Sequence, residues 1–232
     1  MPMRFLRLCL AALLVPASAA WAGQPLATED AAVLSRSDCE FESSLRRQTE
    51  RGAASSSGAA VKLGCGIGWR SQVALGLDAE RSGGRTDQGL KLGGKTALNE
   101  AAAGQPAFTL AWELAAARPA GGSLALEDTS ALAVTTLTLR PALQLHANLG
   151  WSRSRSQRRS STLWAVAVEQ AASDRLDLMA EVYASDRDPA PWMAAGLRWA
   201  LVPDKLSIDA SAGLQASSAR ARRITLGVKA GF

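Results

Sequence analysis

RRITLGVKAGF, the stretch from Arg222 to Phe232, decides the fold. Ile224, Leu226, Val228, Ala230 and Phe232 fall on one parity, and Arg223, Thr225, Gly227, Lys229 and Gly231 on the other. A period of two that ends in an aromatic residue is the pattern of a strand with one face in lipid and the other on a polar lumen. The expected fold class is therefore all-β, a transmembrane antiparallel up-and-down β-barrel of about 12 strands.

The opposite end of the chain carries the marks of export. MPMRFLRLCLAALLVPASAAWAG places Arg4 and Arg7 ahead of an apolar run from Leu8 to Val15, and small residues lead into Ala20-Trp21-Ala22. This is a secretory signal peptide, cleaved before Gly23, and Cys9 is one of its small apolar residues. Residues 1–22 are thus set aside, residues 23–36 (GQPLATEDAAVLSR) read as a periplasmic N-terminal segment able to fold into the lumen mouth, and residues 37–232 form the barrel. The implied location is the outer membrane of a Gram-negative bacterium, with the outer-membrane lipids and the barrel-insertion machinery as partners; Phe232 is the end that machinery reads.

Composition accounts for the absence of a helical signal. Charged residues make up 20% of the chain, and beyond residue 22 no run approaches the roughly 18 apolar residues of a spanning helix. Backbone groups in lipid must be hydrogen-bonded within the protein, so a closed barrel is the remaining way across. Without Arg4 and Arg7, 24 basic residues face 21 acidic ones, a net charge near +3. That excess is too small to point to nucleic acid as a partner.

From Ser37 onward the chain breaks into segments of about ten residues, the length of tilted barrel strands. The segments are 37–49, 59–69, 71–82, 87–98, 106–116, 129–140, 142–153, 161–170, 175–185, 191–200, 205–214 and 222–232. Parity sets the facing of each. Val61, Leu63, Cys65, Ile67 and Trp69 oppose Lys62, Gly64, Gly66 and Gly68, and Leu143, Leu145, Ala147 and Leu149 oppose Gln144, His146 and Asn148. A slip of one residue would put charge into lipid, so register is strongly specified except in 129–140 and 191–200, where alternation is poor. Trp69, Trp199, Phe41, Phe108 and Phe232 are expected in a periplasmic aromatic girdle and Trp151 and Trp192 in an outer one.

The inward parity collects the charge. Lys62, Asp78, Glu80, Lys91, Lys95, Glu113, His146, Glu169, Asp177, Glu181, Asp209, Arg223 and Lys229 are the expected lumen lining, with Glu40, Glu42, Arg46 and Arg198 beside them. Both signs occur, which suits ion pairs filling a narrow barrel as well as a polar water path. Inward glycines such as Gly64, Gly66 and Gly76 leave room, and twelve strands lie between side-chain-filled and open barrels. The expected lumen is narrow or partly plugged. As a lumen residue, Lys229 is expected to tolerate replacement by Gln with a change in ion preference only.

Two cysteines follow the signal. Pairing 45 with 59 and 47 with 57 across the first loop brings Cys39 and Cys65 together on one face, and an exported chain meets an oxidising compartment, so a cross-strand disulfide is expected. The single histidine argues against a zinc site, and neither metal nor cofactor is expected. His146 with Asn148 and a serine would suit an outer-membrane lipid hydrolase; such a site must face lipid, and His146 lies on the polar parity, so no catalytic residue is assigned. In the run RSRSQRR, Arg153, Arg155, Arg158 and Arg159 sit in an outer loop, where the nearest anions are the phosphates of lipopolysaccharide.

PLATEDAAVLSRSDCEFES, residues 25–43, resembles the start of outer-membrane proteins of the meta-pathway of phenol degradation family, on Pro25, Leu26, Thr28, Glu29 and Asp30, with Phe232 at the close. The resemblance implies association with uptake of aromatic compounds. The sequence reading is thus a narrow outer-membrane channel or transporter for small, hydrophobic or aromatic molecules; the alternative is a structural or interaction barrel without transport.

Overall fold

A computed structural model describes residues 26–100, 104–186, 190–217 and 220–232; the signal peptide assigned to residues 1–22 lies outside them. The strands are β1 (Cys39–Thr49), β2 (Ser56–Gly68), β3 (Ser71–Ser82), β4 (Arg85–Ala97), β5 (Ala107–Arg118), β6 (Ala125–Arg140), β7 (Leu143–Ser154), β8 (Arg159–Ser173), β9 (Leu176–Ser185), β10 (Trp192–Val202), β11 (Leu206–Gln215) and β12 (Arg222–Gly231). Each pairs antiparallel with its sequence neighbours, and β12 pairs with β1 to close the barrel. Leu45 lies opposite Ala59 and Arg47 opposite Ser57, the register expected from parity.

The barrel is apolar outside and polar inside. Leu45, Leu149 and Ile224 are more than half exposed on the outer wall, whereas His146 and Asp209 are 0% exposed within. An apolar surface this continuous has lipid as its solvent. Short connections lie at the end where β1 begins and β12 stops, including the two-residue turn Trp69–Arg70 between β2 and β3; in outer-membrane barrels that end is periplasmic. At the opposite end the strands run further than sequence suggests. Only Gly83 and Gly84 separate β3 from β4, both at positive φ (56° and 81°), as a two-residue hairpin turn matching strand twist requires.

The strands with poor alternation carry bulges. Pairing shifts between Ala115 and Ala116 on β5, leaving Glu127 extra on β6, and again between Thr138 and Arg140. β10 shifts between Ala200 and Val202. An inserted residue swaps faces beyond it, but pairing is continuous over 128–138 and 192–200; alternation is poor there because apolar residues such as Leu132, Val134 and Ala194 face inward as well. One expectation is overturned: Trp192 does not join the outer girdle but faces the lumen at 6% exposure. Arg198 shares its parity, and a charge kept out of lipid fixes the whole strand, with Met193, Leu197 and Trp199 outside. At the periplasmic end Trp69, Trp199 and Phe232 are 90, 55 and 72% exposed, as a girdle demands.

Candidate functional site

The lumen is occupied by the chain's own N-terminal segment. From Cys39 at the periplasmic end, residues 38 back to 26 run up inside the barrel to about mid-height, deeper than the mouth. Between Ala27 and Leu34 the backbone is tied repeatedly to inward side chains. The Glu181 carboxylate accepts from the backbone N–H groups of Ala27 and Thr28 at 2.9–3.0 Å and from Thr28 Oγ1 at 2.8 Å. Glu29 N donates to Asn148 Oδ1 (2.7 Å), and Asn148 Nδ2 donates back to the Glu29 carbonyl (2.9 Å). Ala31 N donates to Thr136 Oγ1 (2.9 Å), Thr109 Oγ1 donates to the Ala31 carbonyl (2.6 Å), and Leu34 N donates to Gln72 Oε1 (2.8 Å).

Apolar contact completes the docking. Leu26 meets Ala167 and Met179, and Ala31 meets Ala111 and Val134. Arg36 forms a parallel bridge with Gly66, and a Cβ built on Gly66 would lie 1.9 Å from the Ser35 carbonyl oxygen. Gly66 is thus glycine because backbone lies against backbone there. The room left by Gly64 and Gly66 on this wall is taken by Leu34 and Ser35 of the strap. The Cys39–Cys65 disulfide, with its Cα atoms 4.2 Å apart, ties the strap's root to β2.

Ion pairs surround the lower strap. Lys95 reaches Glu29 at 2.5 Å and Asp30 at 3.5 Å. Burial pushes the Glu29 carboxyl up, but the Lys95 and Lys62 ammonium groups outweigh it and hold Glu29 below the usual carboxylate range. Burial prevails at Asp30, whose pKa is raised despite Lys95. Further round, Lys229 pairs with Glu40 (2.9 Å) and Glu42 (3.7 Å), Lys62 with Glu42 (2.7 Å), and Arg198 with Asp209 (3.0 Å) and Glu169 (3.5 Å). Lys229 is therefore a buried partner of two carboxylates. Its replacement by Gln would leave Glu40 without this cation, whereas Glu42 keeps Lys62, a cost to stability beyond the expected change in ion preference.

His146 lies wholly inside, Nδ1 2.9 Å from Thr136 Oγ1 and Nε2 3.9 Å from Glu169. It supports the residue that holds Ala31 and has no access to lipid. Among the described residues, no three His, Cys, Asp or Glu side chains group as a metal site would.

Above the strap the lining is looser. Arg46 pairs with Glu80 (2.6 Å) and Lys91 with Asp78 (3.6 Å), all partly exposed. Arg223 lies 4.4 Å from the Trp192 ring centroid, donates to Tyr183 Oη at 2.9 Å and to Gln48 Oε1 at 2.9 Å, and Tyr183 stacks on Trp192 at 6.3 Å between centroids. Glu113 lines this upper space, and Asp177 lines the lower. The free volume is divided accordingly. A chamber of about 390 Å³ opens among Asp177, Arg198, Asp204 and Lys205 at the periplasmic end. Two of about 240 and 310 Å³ lie higher, both with Leu26 and Ala27 in their walls.

Of the loop arginines, Arg153 points outward from the end of β7, Arg155 and Arg158 lie in the β7–β8 connection, and Arg159 opens β8 on the lumen parity. They do not form one face. Sequence reasoning missed Gln72, Thr109, Thr136 and Trp192 as site residues. The first three are neutral polar residues on inward parity, a signal that was present but silent without the strap.

A closed twelve-stranded antiparallel barrel with an apolar outer wall and a polar interior has the architecture of an outer-membrane β-barrel. The chain itself is a member of the family described as Uncharacterised conserved protein UCP029691, whose profile matches residues 10–232. No match was found among curated proteins. The fold is similar to an outer membrane channel from Pseudomonas putida F1 (COG4313; 11% identity, TM-score 0.61, covering 88% of this chain and 98% of that one). It is also similar to the KdgM porin (7%, 0.60, 82% and 99%) and to the toluene transporter TbuX of Ralstonia pickettii (7%, 0.51, 85% and 90%). At such identities the likeness is one of fold.

Proposed function

We propose that the protein is an outer-membrane channel for small molecules that its own N-terminal strap holds shut at rest. The observation that carries this reading is the docking of Ala27 to Leu34 on Glu181, Asn148, Thr136 and Gln72. Those bonds run from strap backbone to side chains of the wall, so the segment can leave without unpairing a strand. What remains is a lumen lined by paired charges, into which the chambers below and above the strap would merge. The fold-level likeness to porins and transporters supports the same class. The Tyr183, Trp192 and Arg223 cluster at the outer mouth offers an aromatic face and a cation together, which favours cargo with an aromatic ring or an acidic group.

A second reading, a structural barrel without transport, draws on the same docking: a permanently seated strap leaves no path. Single-channel recording in planar bilayers separates the two. Wild type should show a small, mostly closed conductance, and Glu181→Gln, which weakens three strap contacts, should raise the open fraction about tenfold for each 1.4 kcal/mol of docking lost. Silence from both proteins, with folded barrels confirmed by heat-modifiable gel mobility, would leave the structural reading standing.

A further inference from the structure

The outer wall carries a charged patch that the channel reading does not use. Arg47, Ser57, Arg81 and Thr86 stand directly opposite one another across β1, β2, β3 and β4, and all four point outward. The next row toward the membrane centre reads Leu45, Ala59, Ala79, Gln88 and Arg118. Arg222 extends the patch on β12, opposite Thr49. Neither row contains a carboxylate, and Arg47, Arg81, Arg118 and Arg222 form no ion pair among the described residues.

Beneath the arginines the wall is hollow. Ala59 and Ala79, small between Leu45 and Gln88, floor a lipid-facing groove of about 540 Å³ whose rim includes Val61, Leu77, Leu90, Leu124 and Arg118. Across a sheet, neighbouring strands are about 4.8 Å apart, so Arg47 and Arg81 flank Ser57 at the spacing of a phosphate held from two sides. An apolar groove opening directly below paired guanidinium groups, at the outer edge of the hydrophobic band, matches one molecule of the outer leaflet: a phosphorylated glycolipid.

We propose that this patch is a seat for lipopolysaccharide, with a lipid A phosphate on Arg47, Ser57 and Arg81 and an acyl chain in the Ala59–Ala79 groove. Arg118, bonded to Gln88, closes the groove's far side toward the sugar. The run at Arg153 to Arg159 is not part of it, since β7 and β8 lie on another sector of the barrel.

The test measures lipid A binding to the purified mature barrel in detergent, by native mass spectrometry. The R47Q/R81Q pair should bind at least about tenfold more weakly, as loss of charge-assisted contacts implies, and R155Q/R158Q should bind as wild type does. Ala79→Leu fills the groove and should weaken binding of intact lipid A while sparing its deacylated, phosphorylated sugar. Should R47Q/R81Q fail to fold, Ala79→Leu decides alone. Undiminished binding by the folded variants, loss in the loop pair instead, or equal affinity for phosphatidylglycerol would each overturn the proposal.

Discussion

The periplasmic and outer halves of the lumen are built from the same alternating strands and the same kinds of residue, yet they differ in how tightly their charges are held. Below, Asp209, Glu169 and Arg198 are at most 8% exposed as side chains and share their contacts with one another. Above, Arg46 and Glu80 pair at 41 and 43% exposure. The strap contributes to the difference: it takes up part of the lower lumen and brings its own carboxylates, Glu29 and Asp30, to Lys95, while the pairs around Arg198 are buried against the wall. Strand pattern sets which residues face inward; what occupies the lumen sets what those residues are worth.

The largest expected effect follows from that contrast. Arg198→Leu strips the buried Asp209 and Glu169 of their cation and should cost about 3–5 kcal/mol, the cost of breaking a buried pair by removing one partner. Arg46→Leu, in the solvated half, should cost about 0–1 kcal/mol. The temperature at which the folded band disappears on a semi-native gel checks both. Equal losses would break the comparison.

The strap itself is tested by wedging it. Gly66→Val places side-chain atoms where the Ser35 and Leu34 carbonyls now lie, with the Cβ alone at 1.9 and 2.5 Å from them, so the strap must undock. Gly76, on the same parity of β3, has no strap contact and a nearest neighbour at 3.5 Å, and Gly76→Ala should be near neutral. The expected outcome is a rise in open conductance of about tenfold per 1.4 kcal/mol of lost docking, with barrel melting little changed. A channel equally closed in both variants would show that the strap is not the barrier.

The barrel was legible in sequence because lipid punishes a wrong facing at every other residue. Leu206, Ile208 and Ala210 against Ser207, Asp209 and Ser211 admit one solution, and the same logic places Cys39 opposite Cys65. Trp192 escaped because its segment is apolar on both parities, and only Arg198 tells inside from out. The strap's path was not legible, since LATEDAAVLSR, residues 26–36, has no period of its own and borrows its conformation from the wall. Nor was the burden on Lys229 readable: parity gives a residue its face but not its partners, and Glu40 and Glu42 come from the strand at the other end of the chain.

The smallest effect is expected at the outer mouth, where Tyr183 meets Arg223. Tyr183→Phe keeps the stack on Trp192 and removes one hydrogen bond from a guanidinium that still donates to Gln48 and lies over the indole. The loss in stability should be about 1 kcal/mol. Charge at the mouth is unchanged, so the reversal potential under a salt gradient, read in a strap-released background such as Gly66→Val, should not move. Arg223→Gln removes the charge itself and should shift that potential toward cation preference. If Tyr183→Phe alone altered selectivity or destabilised the barrel as much as Arg198→Leu, the outer half would be as tightly built as the inner, and the contrast between the two halves would fail.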